Sequence, residues 1–363
     1  MKWPSRIAQL APQIARHDAI GNEVFALHAF FRRLGIQSEI YCDLADAASR
    51  PHVRAWEKVS RFKGSLLFVH FSHGAPGLAR VCEMGVPFVL IYHGSTPPDY
   101  FRGTNPLLEQ ASREGEKQLA ELAQRACLCV AHSSFTARRL EEAGSRHTLV
   151  LPYVLNEALY SAGGDPKIEK LYGGDGWVNI LTVGRITPNK RCEDCIFIYD
   201  YYKRYIEPKS RLFLVGDIQG MECYRERLEH LLAELGLRDV YFTGAVSQRV
   251  LVSYYRIATA YISMSEHEGF GVPLVEAMRF GVPVFALAAS AVAETLRGAG
   301  LLFREKSWPV IAEAIGLVLN DHAALEQILS EQREAVAHYS AEKAEGRLRA
   351  LLQRIAEQLG ESC

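Results

Sequence analysis

At 363 residues the chain is longer than one hydrophobic core usually serves, so two domains with a cleft between them are expected. A hydrophobic content of 48% with 23% charged residues excludes a disordered chain, and 41 Lys and Arg against 42 Asp and Glu leave no global field that would recruit nucleic acid. The longest apolar runs, Ser65–Phe71 and Pro87–Tyr92, fall far short of the roughly 20 residues of a spanning helix, and the first residues do not read as a signal peptide, so the reading is a cytoplasmic protein.

Short apolar, β-branched runs alternate with helix-period segments, the pattern of parallel strands joined by crossover helices, and the class is α/β. The first half offers strands at Ile7–Leu10, Ser38–Cys42, Leu66–Phe71, Phe88–Tyr92, Leu128–Ala131 and Leu149–Pro152. Within it, "VRAWEKVSRFKG" sets Trp56, Val59 and Phe62 beside Arg54, Lys58, Arg61 and Lys63. That mix suits a short helix, either with its apolar side against the first domain, the weightier reading, or in weak peripheral contact with an anionic membrane surface. His70 and His73 in "VHFSHG", and His93 in "LIYHGSTPP", stand at strand ends.

The stretch 161–177, rich in Gly, Asp and Pro, reads as a linker or exposed loop between a first domain at 1–160 and a second at 178–340. The second set of strands is Asn179–Val183, Leu212–Val215, Val240–Thr243, Ala260–Ser263, Val284–Ala286 and Gly300–Phe303. Residues 341–363 form one amphipathic helix with Leu348, Leu351, Leu352, Ile355 and Leu359 on its stripe, expected to return to the N-terminal domain. The eight cysteines show no disulfide-framework spacing; Cys192 and Cys195 have C-x-x-C spacing without a second pair or nearby histidine, which favours two thiols on one helix over a metal site.

Chemistry concentrates in "SEHEGFGVPLVEAMRFGVPVFA", Ser265–Ala286. Gly269 and Gly271 permit backbone conformations closed to other residues, and Pro273 suits a first helical turn, so a helix begins near Val272 with Glu268 in the loop before it and Glu276 in its first turn. Unpaired amides at such an N-terminus favour phosphate, whereas an ionised carboxylate takes hydroxyl donors from a sugar. Upstream, "LTVGRITPNKR" puts Arg185 and Lys190 after the turn glycine Gly184, at the carboxyl end of a strand, where they would neutralise a leaving diphosphate. Neither G-x-G-x-x-G, G-x-x-x-x-G-K-[ST], G-x-S-x-G, D-x-D nor H-E-x-x-H occurs, which leaves a cleft enzyme for a nucleoside diphosphate sugar with no metal and no cofactor.

These segments carry a resemblance over nearly the whole chain. "EGFGVPLVEAMRFGVPV", "VGRITPNK", "VYFTGAV" and "DAIGNEVFALHAFFRRLG" together are similar to the retaining glycosyltransferases of family 4, the group 1 type with an E-x7-E element and the GT-B fold of two facing Rossmann-like domains. The resemblance implies that Glu276 holds the donor ribose, Glu268 the transferred sugar, and Arg185 and Lys190 the diphosphate, helped by the amides of Phe270, Gly271 and Val272. It implies that the base lies against Gly244, Ala245 and Val246 near Gly216, and that Gly184 turns the chain. It places Gly21, in the loop after the first strand, near the phosphates, and His93 facing the transferred sugar. The chain has Ile20-Gly21 where many relatives have Gly-Gly.

The activity implied is transfer of a hexose, from GDP-mannose in preference to UDP-sugars, to a glycan or lipid-linked oligosaccharide of a bacterial polysaccharide, with retention and without metal. Two alternatives stay open: a same-fold UDP-sugar epimerase or phosphorylase, and a non-catalytic nucleotide-sugar-binding partner of another transferase.

Overall fold

The computed structural model describes residues 4–15, 18–61, 66–161 and 163–361. The chain forms two compact units: one comprises Met1–Pro98, Leu107–Glu157 and Tyr339–Cys363, the other Asp99–Pro106 and Ala158–His338. Each is built on one parallel sheet.

The first sheet contains β1 (Arg6–Ile14), β2 (Gln37–Ala45), β3 (Arg54–Ala55), β4 (Leu66–Phe71), β5 (Phe88–Tyr92), β6 (Leu128–Ala131) and β7 (Thr148–Val150), in the order β3-β2-β1-β4-β5-β6-β7. Strands β4, β5 and β6 are wholly buried, as covering both faces of a parallel sheet demands, and their apolar runs mark their bounds in the sequence. Strand β1 outlasts its expected end at Leu10 because beyond that residue it pairs with β2 alone, and the missing N–H of Pro12 is tolerated on a one-sided strand.

The second sheet contains β8 (Val178–Val183), β9 (Ser210–Val215), β10 (Val240–Gly244), β11 (Ala260–Ser263), β12 (Val284–Leu287) and β13 (Leu301–Phe303), in the order β10-β9-β8-β11-β12-β13. In both sheets the winding reverses once, between β1 and β4 and between β8 and β11. Such a switch point is where open α/β sheets hold ligands, at the carboxyl ends of the strands.

Two expectations change. The stretch 161–177 is not simply an exposed loop, since it contains the helix Pro166–Tyr172, begun by Asp165 as a cap on the Lys167 amide with Pro166 in the first turn. That helix docks in the second unit through Glu169, which accepts from Ser253 at 3.0 Å and pairs with Arg256 at 3.2 Å. The segment Trp56–Arg61 is a 3-10 helix whose Trp56 and Val59 pack in the first core with Leu10, Tyr41 and Leu78, so these apolar residues are not available to a membrane surface. Phe62 and Lys63 lie outside the described residues, as does the side chain of Arg61.

The helix Ala341–Glu361 seats Leu348, Leu351, Leu352 and Ile355 against Ile7, Leu27, Phe68 and Val89 of the first unit; the Leu359 side chain lies outside the described residues. Among the described residues no helix is long and apolar enough to cross a membrane.

Candidate functional site

The site of the second unit grows from the ends of four adjacent strands. After β8 and β9 the backbones converge so closely that a Cβ on Gly216 would lie 1.8 Å from the Gly184 carbonyl oxygen, which only glycine avoids. The Gly184 amide donates to Val215 O at 2.9 Å and Ile186 N to Asp217 O at 2.8 Å, fixing the start of the loop that carries the cations. Arg185 on that loop is exposed. Lys190 ends the turn Pro188–Lys190, and its Nζ donates to Glu268 Oε1 at 2.5 Å, with both side chains mostly buried.

The loop after β11 supplies Glu268, whose amide donates to Ser290 Oγ at 2.8 Å. Gly271 then takes φ +92°, a left-handed conformation that favours glycine, and the helix Val272–Arg279 follows with Pro273 in its first turn. Pro273 carries no N–H and the Leu274 amide donates to Gly271 O at 3.0 Å, while the Phe270 carbonyl is fixed by Thr295 Oγ1 at 2.5 Å. On the far side of the sheet, β10 ends at Gly244 with φ +69°, leaving Ala245 exposed and Val246 half-buried before the helix Gln248–Ile257.

Glu276 departs from expectation. It is the fifth residue of its helix, past the first turn, and is only 6% exposed. Its Oε1 accepts from Tyr160 at 2.8 Å and its Oε2 from Tyr255 at 2.7 Å. Burial pushes its pKa up, and the two hydroxyl donors work against that rise. Four lone pairs on a carboxylate leave two for further donors.

In the first unit two further expectations change. Gly21 lies in the helix Ala19–Arg33, not in a loop, and its amide donates to the Asp18 cap at 2.6 Å. A Cβ there would strike Ala15 O, so the glycine is required by the helix packing onto the chain leaving β1. His93 turns both ring nitrogens inward: Nε2 is 3.0 Å from His70 Nδ1, and Nδ1 is 3.7 Å from Glu23 Oε2.

A polar chain therefore crosses the ends of β4, β5 and β6. Gln9 Nε2 donates to Val24 O, so its Oε1 accepts from His70 Nε2 at 3.1 Å. His70 Nδ1 is then an acceptor and His93 Nε2 its donor. Glu23 accepts from the Val154 amide at 2.9 Å and lies 3.1 Å from His132 Nε2, whose other nitrogen reaches Leu151 O.

Burial pushes His70 down to about 3 and His93 well below its ordinary value. For His132 burial acts the same way, but Glu23 outweighs it and the pKa is raised. For Glu23 burial raises and His132 then lowers, with a net fall. Glu23 Oε2 and His132 Nε2 thus face each other at 3.1 Å inside the unit, each shifting the other toward its charged form.

Glu23, His70 and His93 also offer metal-ligand atoms within 4.8 Å of one another, though the hydrogen bonds above already account for both His70 nitrogens. Neither Glu23 nor His132 stands out in sequence; the signal is one histidine at the end of each of three neighbouring strands, visible only once strand order is known. Cys192 and Cys195 are buried free thiols on the helix Cys192–Tyr205, with Cys195 pushed up to about 12 by burial.

Two parallel, doubly wound α/β sheets, each with one switch point, define the class of fold, and solved structures make it specific. The chain has the GT-B fold. It superposes with TM-score 0.75 on Anabaena Alr3699/HepE in complex with UDP and glucose, at 20% identity over 98% of this chain and 100% of that one. Sucrose-phosphate synthase from Thermosynechococcus elongatus gives 0.73 at 18% identity, over 97% and 99%.

Residues 175–341 match the family model described as Glycosyl transferases group 1. D-inositol 3-phosphate glycosyltransferase of Acidothermus cellulolyticus is 31% identical over 198 residues, 52% of this chain and 43% of that protein. The serotype-specific mannosyltransferase WbdA of Escherichia coli is 26% identical over 167 residues, 46% of this chain and 19% of that protein. The chain thus spans less than half the length of either relative.

Proposed function

We propose that the protein is a retaining, metal-independent glycosyltransferase that moves a hexose from a nucleoside diphosphate sugar to a glycan or lipid-linked acceptor in polysaccharide biosynthesis at the cytoplasmic side. The observation that carries this reading is the Lys190–Glu268 pair beside the exposed Arg185 at the β8/β11 switch point, within the segment that matches the group 1 glycosyltransferases. Arg185 and Lys190 take the diphosphate, with the backbone amides of Phe270 to Val272 at the helix start assisting, and stabilise the charge that develops as it leaves. Glu276 takes the ribose hydroxyls on its two remaining lone pairs. Glu268 takes hydroxyls of the hexose.

The pair also suggests the order of events. With no donor bound, Lys190 neutralises Glu268; a diphosphate arriving at Lys190 competes for the ammonium and frees Glu268 to accept sugar hydroxyls. The base lies along Gly244 to Val246. His93 is assigned to holding the strand ends together rather than touching sugar, because its nitrogens face His70 and Glu23. The likeness to a mannosyltransferase, WbdA, favours transfer of mannose, for which we take GDP-mannose as the donor, and the HepE complex with UDP and glucose supports a nucleotide sugar in general.

The test incubates purified protein with GDP-mannose, UDP-glucose and UDP-N-acetylglucosamine and follows nucleotide release, with thermal shift recorded in parallel. Stabilisation by one donor with release of its nucleotide supports the reading. Stabilisation without release identifies a binding partner of another transferase. No response to any of the three overturns the donor assignment.

A further inference from the structure

Immediately after Lys190, Arg191 stands in the left-handed region at φ 52°, ψ 51°, a conformation that costs energy for any residue with a Cβ and persists only where its surroundings over-determine it. Those surroundings are explicit. Arg191 Nη1 lies 2.9 Å from Glu193, and its Nε lies 3.1 Å from Asp194 Oδ2 and 3.5 Å from Glu266 Oε1.

Lys306, from the loop after β13, bridges the same two carboxylates: its Nζ is 2.8 Å from Asp194 Oδ2 and bonded to Glu266 Oε1. Asp194 is 1% exposed, and its other oxygen accepts from Trp308 Nε1 at 3.1 Å, while the Trp308 ring stacks on Phe197. Two cations are thus shared between a buried and a half-buried carboxylate. A buried carboxylate so satisfied is a rigid anchor; stripped of a partner it is not.

The two carboxylates belong to different loops. Asp194 opens the helix behind Lys190, and Glu266 lies two residues before Glu268. The loops are also stitched by backbone: Glu266 N donates to Asn189 O at 2.9 Å, Asn189 Nδ2 to His267 O at 3.1 Å, and Ser265 Oγ to Asn189 O at 3.3 Å.

We propose that Lys306 and Arg191 are positioning residues that clamp the Lys190 loop to the Glu268 loop, holding the ammonium and the carboxylate at the spacing that donor cleavage requires. The proposal rests on the donor-site reading above. Neither residue touches the donor; each acts through Asp194 and Glu266. Because catalysis depends on placement within about half an ångström, loosening the clamp lowers turnover more than it weakens donor binding.

The experiment compares wild type with Lys306→Met and Arg191→Gly in the full chain, measuring kcat and donor KM, melting temperature, and amide hydrogen exchange. Arg191→Gly removes the guanidinium while relieving the backbone conformation, and Lys306 still serves Asp194, so its melting temperature is expected to fall less than that of Lys306→Met. For both variants kcat is expected to fall at least about tenfold with donor KM changed less than about twofold, and the amides of Lys190, Glu266 and Glu268 to exchange faster than in wild type. Wild-type kcat in both variants, or unchanged exchange at those amides, overturns the clamp. Absence of turnover in the wild type with every nucleotide sugar defeats the donor-site reading instead, and the exchange of the two loops then decides the clamp on its own.

Discussion

The hydroxyl of Tyr255 donates to Glu276 Oε2 at 2.7 Å inside the second unit, so the carboxylate proposed to hold ribose is itself held by a phenol that does not ionise at neutral pH. Tyr160 does the same for Oε1. Glu276 is therefore part of the interior as well as of the site, and its removal strands two hydroxyls. Glu276→Ala is expected to lose transfer and also to destabilise the fold, by about 1–3 kcal/mol for each group left unsatisfied. Denaturant midpoints and nucleotide release measure the two effects; near-wild-type release from a folded Glu276→Ala protein contradicts the ribose assignment.

The buried pair of Glu23 and His132 predicts a pH dependence whose two limbs have opposite signs. His132 has a raised pKa, so its contribution is complete below its ordinary value of 6.5 and is lost as pH rises through the folded value. Glu23 has a lowered pKa, so its contribution is complete above its ordinary value of 4.5 and is lost as pH falls through the folded value. Between 4.5 and 6.5 the pair is whole. His132→Gln keeps an N–H donor without the charge, and is expected to cost about 1–3 kcal/mol in that window and progressively less in alkali. A deficit in urea unfolding that stays constant from the window into alkali refutes the ionised pair.

Where strands are buried on both faces, sequence alone sufficed: Leu66–Phe71, Phe88–Tyr92, Leu128–Ala131 and Ala260–Ser263 have the expected bounds because a short, mainly apolar run fits a doubly covered sheet. The cations and glycines of the candidate site were legible for a similar local reason, as turn chemistry lies next to the residues it serves. What escaped was long-range. Tyr160 is 116 residues from Glu276, and Val154 is 131 from Glu23. No spacing rule links such partners until the strand order is known. The helix Pro166–Tyr172 escaped for a compositional reason, since its Asp-Pro start sits among glycines that read as loop.

Metal independence follows from the proposed roles of Arg185 and Lys190, which supply at the diphosphate the positive charge that a bound divalent ion would otherwise bring. Initial rates are expected to be equal with and without excess EDTA. A rate abolished by the chelator and restored by manganese or magnesium rejects the two-cation account.

Arg185 offers the cleanest separation of chemistry from folding. It is exposed, and among the described residues no ion pair is formed by its guanidinium, so Arg185→Ala removes almost nothing from the native state and the unfolding free energy is expected to change by no more than an ordinary surface substitution changes it, roughly 0.5 kcal/mol. The same change removes a charge-assisted contact to a diphosphate whose negative charge grows as the sugar departs. The expected loss is about 1.5–3 kcal/mol or more in kcat/KM, and it falls on kcat because the contact strengthens toward the transition state. Lys190→Ala differs in kind, since it also leaves Glu268 without its partner at 2.5 Å and alters the free protein. Steady-state kinetics of the two variants against one donor make the comparison. If Arg185→Ala retains full kcat, or loses it only together with its fold, the guanidinium does not meet the leaving group.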